Sequence, residues 1–453
     1  MTSVELSVTA AAETGIEEWS VAKALDKGKG NVQRPLVEFD AQGNALAIWE
    51  QDVGDIDHGS VNANINAIYA NWYSPSTGWG KPQTIVSGLR VVSNPDMYVC
   101  DNGNAAVICV VWPQVFVASV VATTYSKDSG WTTPLFLEGS VPQTVQRPQI
   151  VIWPDGVALA IWEQAGDIWG NRYVPGIGWD LPTVIGSGAS SDLVIAPDGS
   201  AMAVWEVPWG ISPYAVKARQ YVRDAGWGSE VQLYSGAQYA YQVRIAFEDS
   251  GTGMATWIEN DGSIFSSEMW YNTYDPILGW DIPGRIDPLE KGLWYGTHQL
   301  IASENGEFLF LSDRYDPAAN TNNIWSNKHV QGIGWGKMQQ IEFNTVQDTL
   351  LRFPKLDTDS AGHAIVVWAR SDGTVCNIWY SVYDGTSWSG QALVEKGKVD
   401  CNYPDVALDA SGNAICVWMQ LANKPYEYYG TYTSTIQITF DSAEYGFGDL
   451  IYY

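Results

Sequence analysis

The clearest pattern along the chain is a short extended run that is apolar on both parities. In "GNALAIWEQ", residues 43–51, Ala45, Ala47 and Trp49 point to one side of a strand, and Leu46 and Ile48 to the other. A strand apolar on both faces belongs to a sheet covered on both sides. The same phrase returns near the far end as "GNAICVWMQ", residues 412–420. Its glycine heads a series: Gly43, Gly103, Gly156, Gly199, Gly251, Gly306, Gly362 and Gly412, at intervals of 60, 53, 43, 52, 55, 56 and 50 residues. Six positions after each glycine stands Trp49, Cys109, Trp162, Trp205, Trp257, Ser312, Trp368 or Trp418. Six tryptophans of eight at fixed register define a repeat of supersecondary units.

Each unit reads as four strands. An extended run such as "RPLVEFD" or "RPQIVIWP" leads into a tight turn, "DAQGN", "PDG" or "DASGN", whose glycine is free to take a positive φ. The apolar phrase is the second strand. The third ends on Tyr73, Tyr125, Tyr173, Tyr221, Tyr274, His329 or Tyr383. Six residues later (five in the last case) comes Trp79, Trp131, Trp179, Trp227, Trp280, Trp335 or Trp388, opening the fourth strand. No unit carries a 3.6-residue period, which excludes helical solenoids. The pattern predicts an all-β chain: an eight-bladed β-propeller of four-stranded antiparallel blades.

The ends fit the same frame. Trp19 precedes Gly43 by 24 residues, as Trp79 precedes Gly103, so the chain opens on a fourth strand. That strand, around residues 17–25, is expected to complete the last blade, residues 404–436, and so remove the free edges of an open array. The expectation is a single propeller over residues 1–436 followed by a tail, residues 437–453.

Composition narrows the function. The chain is acidic, with a formal net charge of −27, so nucleic acid and anionic lipid are unfavourable partners. Nothing reads as a membrane-inserting segment, since no run reaches the length of a spanning helix. The N-terminus lacks the basic start and apolar run of a signal peptide, which leaves the compartment open between cytoplasm and secretion with a signal removed. Cys100, Cys109, Cys376, Cys401 and Cys416 form neither a CxxC pair nor a zinc spacing. A monomer without a cofactor is expected.

The Gly-Trp turns resemble the Asp-box of the sialidase superfamily, a Ser-x-Asp-x-Gly-x-x-Trp turn between third and fourth strands. "SKDSGWTT", Ser126 to Thr133, carries the likeness through Ser126, Asp128 and Gly130, with Trp131 standing early. The "GNAxAxW" and "GWxxP" phrases are similar to a bacterial propeller repeat. The resemblance implies a propeller, with the box as a structural turn. The arginine cluster of sialidases has no counterpart: Arg34 and Arg147 recur at first-strand starts, which points to a structural role.

Loop lengths point to a working face. The third-to-fourth turns are nearly constant, whereas the second-to-third loops vary strongly, and variable loops on a rigid frame are where binding concentrates. Near the third-strand starts on that face lie Tyr69, Trp169, Trp270, Trp325, Trp379 and Tyr428, which could stack on sugar rings or pack between blades. The longest loop holds Asp52, Asp55 and Asp57, a set with oxygen ligands for Ca²⁺ but without EF-hand spacing. The expected function is non-catalytic recognition of a protein or glycan, lectin-like or as a scaffold. The alternative is a glycan-cleaving enzyme using carboxylates on the same face.

Overall fold

The computed structural model describes residues 19–26, 32–51, 67–87, 92–114, 117–138, 145–207, 214–236, 238–260, 266–287, 294–303, 306–316, 319–343, 354–371, 374–395, 400–421 and 429–437. Asp52, Asp55, Asp57 and Tyr428 lie outside them, as does the tail beyond residue 437.

The chain is an all-β propeller. The described strands form eight antiparallel sheets. Their first strands are Val32–Phe39, Val92–Val99, Val145–Ile152, Ala189–Ile195, Ala240–Phe247, Trp294–Ser303, Lys355–Thr358 and Cys401–Leu408. Each first strand packs on the next, and the last packs on Val32–Phe39. They therefore surround a central axis. The pair Lys23–Ala24 adds to the eighth sheet beside Tyr429–Gln437, with Lys23 opposite Thr433 and Ala24 opposite Tyr432.

The two-faced second strand explains the seams. Ala45, Ala47 and Trp49 pack on Ala407, Ile415 and Val417 of the eighth sheet, while Leu46 and Ile48 pack on Val107 and Cys109 of the second. Each sheet thus presents its Ala-x-Ala-x-Trp face to one neighbour and its aliphatic face to the other. Burying an indole removes on the order of 150–250 Å² from water. Trp49, Trp162, Trp205, Trp257, Trp368 and Trp418 are all fully buried. A glutamine two residues on accepts from the indole N–H in three of them, at 3.0 Å for Trp49, 2.9 Å for Trp162 and 3.1 Å for Trp418.

The sixth sheet breaks the tryptophan rule by an exchange of side chains. Ser312 replaces the indole, but Phe308 and Phe310 occupy the two alanine positions and are buried. Large side chain and small one have exchanged places along a single strand face, which conserves volume. His298 fills in beside Ser312, and Thr256 Oγ1 lies 3.1 Å from its Nε2. The second sheet makes a smaller exchange, with Val107 and Cys109 in the middle alanine and tryptophan positions.

The outer turns are uniform. In seven sheets the aromatic ring that ends the third strand meets the tryptophan across the turn at 5.2–5.5 Å between centroids. An intervening glycine is left-handed in all seven, as at Gly130 (φ 71°), where a side chain would be strained.

Candidate functional site at the channel mouth

The first strands carry a bulge near their start, with register shifts between Gln33 and Leu36, Ser93 and Asp96, Gln146 and Gln149, and Tyr241 and Arg244. The bulged residue is left-handed at Arg34, Asn94, Arg147, Ser190, Gln242 and Tyr403. Bulges turn side chains out of the regular alternation and cluster beside functional sites. Here they ring the end of the channel that carries the second-to-third loops.

Buried carboxylates fasten this rim. Glu50 accepts from Asn94 N at 2.9 Å and from Arg34 Nη1 at 3.1 Å. Glu163 accepts from Ser190 N at 2.5 Å and from Arg147 Nη1 at 3.3 Å. Burial pushes the Glu50 carboxyl up against the pull of Arg34. Both arginines recur because each bulge has a buried acid to match, as the sequence suggested.

A second tier of acids lines the channel, a cavity of about 470 Å³ whose walls include Glu38, Asp96, Asp357, Asp405, Lys355 and Gln299. Each acid accepts a backbone N–H of the following sheet: Asp405 from Val37 at 2.9 Å, Glu38 from Val99 at 2.7 Å, Asp96 from Ile150 at 2.9 Å, and Asp357 from Leu408 at 2.7 Å. Desolvation raises Asp96 and Asp357 to about 7 and lifts Glu38 and Asp405 in the same direction. These acids join sheets. No group of three or more His, Cys, Asp or Glu able to hold a metal occurs among the described residues.

The sheets around Glu206 differ. At the same strand position as Glu50 and Glu163, Glu206 is 2% exposed. Its Oε1 accepts from the Tyr239 hydroxyl at 3.1 Å, while Oε2 is buried without a hydrogen-bond partner of proper geometry. Burial raises this carboxyl to about 7, against the pull of Ser190, Tyr239 and Arg147. Above it runs a belt of rings. Tyr214 meets Tyr239 edge-on at 6.0 Å, and Tyr239 stacks on Tyr241 at 5.6 Å. Tyr241 and Trp294 stand near the starts of the first strands of the adjoining fifth and sixth sheets. Trp294 meets Tyr315 edge-on at 6.5 Å. The four tyrosines are half-buried, and Trp294 is 41% exposed. The belt crosses the fourth, fifth and sixth sheets at the channel mouth.

The belt is chemically suited to a polyhydroxylated ring. Flat aromatic faces accept the C–H side of a sugar, and hydroxyls and a carboxyl at their edges serve the O–H side. Charge at the mouth is largely spent, since Arg34 and Arg147 are engaged by Glu50 and Glu163.

The aromatics singled out from the sequence lie elsewhere. Tyr69, Trp169, Trp270, Trp325 and Trp379 sit directly opposite Trp49, Trp162, Trp257, Ser312 and Trp368 across the second-to-third strand pair. All five are half-buried in the seams. Tyr69 stacks on Trp49 at 5.9 Å. Guanidinium groups cover three others: Arg285 over Trp270 at 5.1 Å, Arg314 over Trp325 at 3.7 Å and Arg370 over Trp379 at 5.2 Å. Asp359, in the turn "DTDSAGHA", caps its hairpin by accepting from Ala361 N and His363 N at 3.0 and 2.9 Å. The belt was missed because Tyr239 and Trp294 stand just before or at the start of their first strands, outside the repeating phrases. The available signal was departure from consensus: "VQRP" in the first and third units becomes "AYQV" and "YGTH" in the fifth and sixth.

No protein-family model matches the chain, and no curated protein matches it. Among solved structures, an ulvan lyase representing a new polysaccharide lyase family has a TM-score of 0.53 at 10% identity, over 89% of this chain and 94% of that one. An ulvan lyase bound to -[GlcA(1-4)Rha3S]- gives 0.52 at 10% identity with the same coverage. A protein of unknown function from Dyadobacter fermentans is similar over 94% of this chain and all of its own, at 11% identity and a TM-score of 0.46. At such identities the likeness to the ulvan lyases is one of fold alone.

Proposed function

We propose that this protein recognises carbohydrate without cleaving it, on the face that carries the variable loops. The observation behind the reading is the aromatic belt Tyr214–Tyr239–Tyr241–Trp294–Tyr315, partly open at the channel mouth and absent from the consensus repeats. The frame of the reading is an eight-bladed ring closed by the N-terminal strand, supported by the eight sheets and the Lys23–Ala24 pairing. Trp270 and Trp325 belong in this reading to the fifth and sixth sheets that carry the belt, and Tyr69, Trp169 and Trp379 to the seams of other sheets. A glycan array run beside a pull-down tests it. Binding to sugars that Trp294→Ala or Tyr239→Ala abolishes at unchanged melting temperature supports it. A silent array with a specific captured protein replaces it with protein recognition.

A second reading, glycan cleavage, is favoured by one observation: a carboxyl held near neutrality, Glu206, beside the Tyr239 hydroxyl. An acid with such a pKa is suited to proton transfer at neutral pH. Appearance of new chain ends on incubation with polysaccharides, lost in Glu206→Gln, would establish it.

A further inference from the structure

Resting on the carbohydrate reading, we infer that the belt takes an internal stretch of an uncharged polysaccharide, several sugar units long, rather than a terminal sugar or an acidic glycan. Two observations carry this. The first is the length and shape of the belt. Its rings form two contacting runs on adjoining sheets, Tyr214–Tyr239–Tyr241 with centroid steps of 6.0 and 5.6 Å, and Trp294–Tyr315 at 6.5 Å. The belt spans three successive sheets, whereas a site for one terminal sugar needs one or two rings and a closed end. Successive rings of this spacing offer successive stacking surfaces, so each added sugar gains a contact while the chain leaves at both ends. The second is charge. The acids beneath the belt are Glu206, Glu259 and Asp313. The exposed arginines of this rim are bound to Glu50 and Glu163. Arg285 is likewise paired with Glu268 at 2.8 Å. These described arginines are thus engaged by carboxylates, and a net charge of −27 repels a polyanion at long range.

The test is a set of size ladders, from monosaccharide to octasaccharide: xylo-, manno- and gluco-oligosaccharides as neutral probes and oligogalacturonides as the acidic one, measured calorimetrically with the full chain. Affinity for at least one neutral ladder is expected to climb about tenfold or more between the disaccharide and the pentasaccharide, which is about 1.4 kcal/mol, and then level off. Tyr214→Ala and Tyr315→Ala, at the two ends of the belt, should lower affinity for the long members and leave the disaccharide unchanged. A flat ladder, or oligogalacturonides binding more tightly than every neutral ladder, would overturn the inference and leave carbohydrate recognition standing. Silence from all four ladders on a protein that also fails the array removes both.

Discussion

The first and third sheets and the fifth and sixth sheets solve the same problem differently. In the first pair the inner strand enters as "VQRP", the bulged arginine meets a buried glutamate, and an ion pair fastens the rim. In the second pair the entry is aromatic, His298 and Ser312 stand where proline and tryptophan do elsewhere, and rings face outward. Both pairs bury equivalent seams. The contrast teaches that in a repeat fold the seam is conserved in volume and the rim is free to vary. The rim is thus where one unit departs from its siblings for reasons other than packing.

The largest effect expected from breaking this contrast is at a seam. Trp162→Ala in the consensus third sheet should cost about 3–5 kcal/mol, read as a lower denaturation midpoint, because the indole leaves a cavity. The sixth sheet sharpens the point. Ser312→Trp alone should destabilise by about 1–3 kcal/mol through overpacking, and combining it with Phe310→Ala should recover part of the loss. If the two changes are strictly additive, the volume exchange proposed for this strand is wrong. Smaller again is the rim: Trp294→Ala should leave the melting temperature within error while sugar affinity falls about tenfold, equivalent to 1.4 kcal/mol. A melting point that falls with Trp294→Ala as far as with Trp162→Ala would make the belt core.

The gentlest lever is pH. Asp96 and Asp357 titrate near 7 in the folded chain, against an ordinary aspartate value of about 4 when unfolded. The folded state therefore holds more protons on these two groups between those values, so their contribution to stability is fullest below about pH 4 and is lost as pH rises through about 7. Asp96→Asn should flatten the slope of melting temperature against pH over that window. A slope unchanged in the variant would remove Asp96 from the account.

Much of the fold was legible in the sequence. The two-faced strand "ALAIWEQ" needs a neighbour on each side, and its recurrence at near-constant spacing needs those neighbours to be copies of itself. The Tyr-Trp contact across the Gly turn could be read from spacing alone, since a hairpin brings the two residues opposite one another. Tyr69, Trp169, Trp270, Trp325 and Trp379 stand towards the loop edge of their own third strands. Spacing could not tell which way they lean, and Trp270, Trp325 and Trp379 lie beneath guanidinium groups contributed by other strands. Asp357 and Asp359 sit two residues apart and do different work, one accepting from Leu408 in the next sheet and one capping its own hairpin.

What the sequence determined by itself was the repeating unit, because strand parity and turn chemistry are local and act within a few residues. Only the tertiary structure decided the mouth of the channel. Tyr214, Tyr239 and the Trp294–Tyr315 pair come from three successive sheets, and nothing local records that these sheets bring them together. Their belt exists because the first strands gather around one axis, which sets the loop-side ends of the fourth, fifth and sixth sheets side by side.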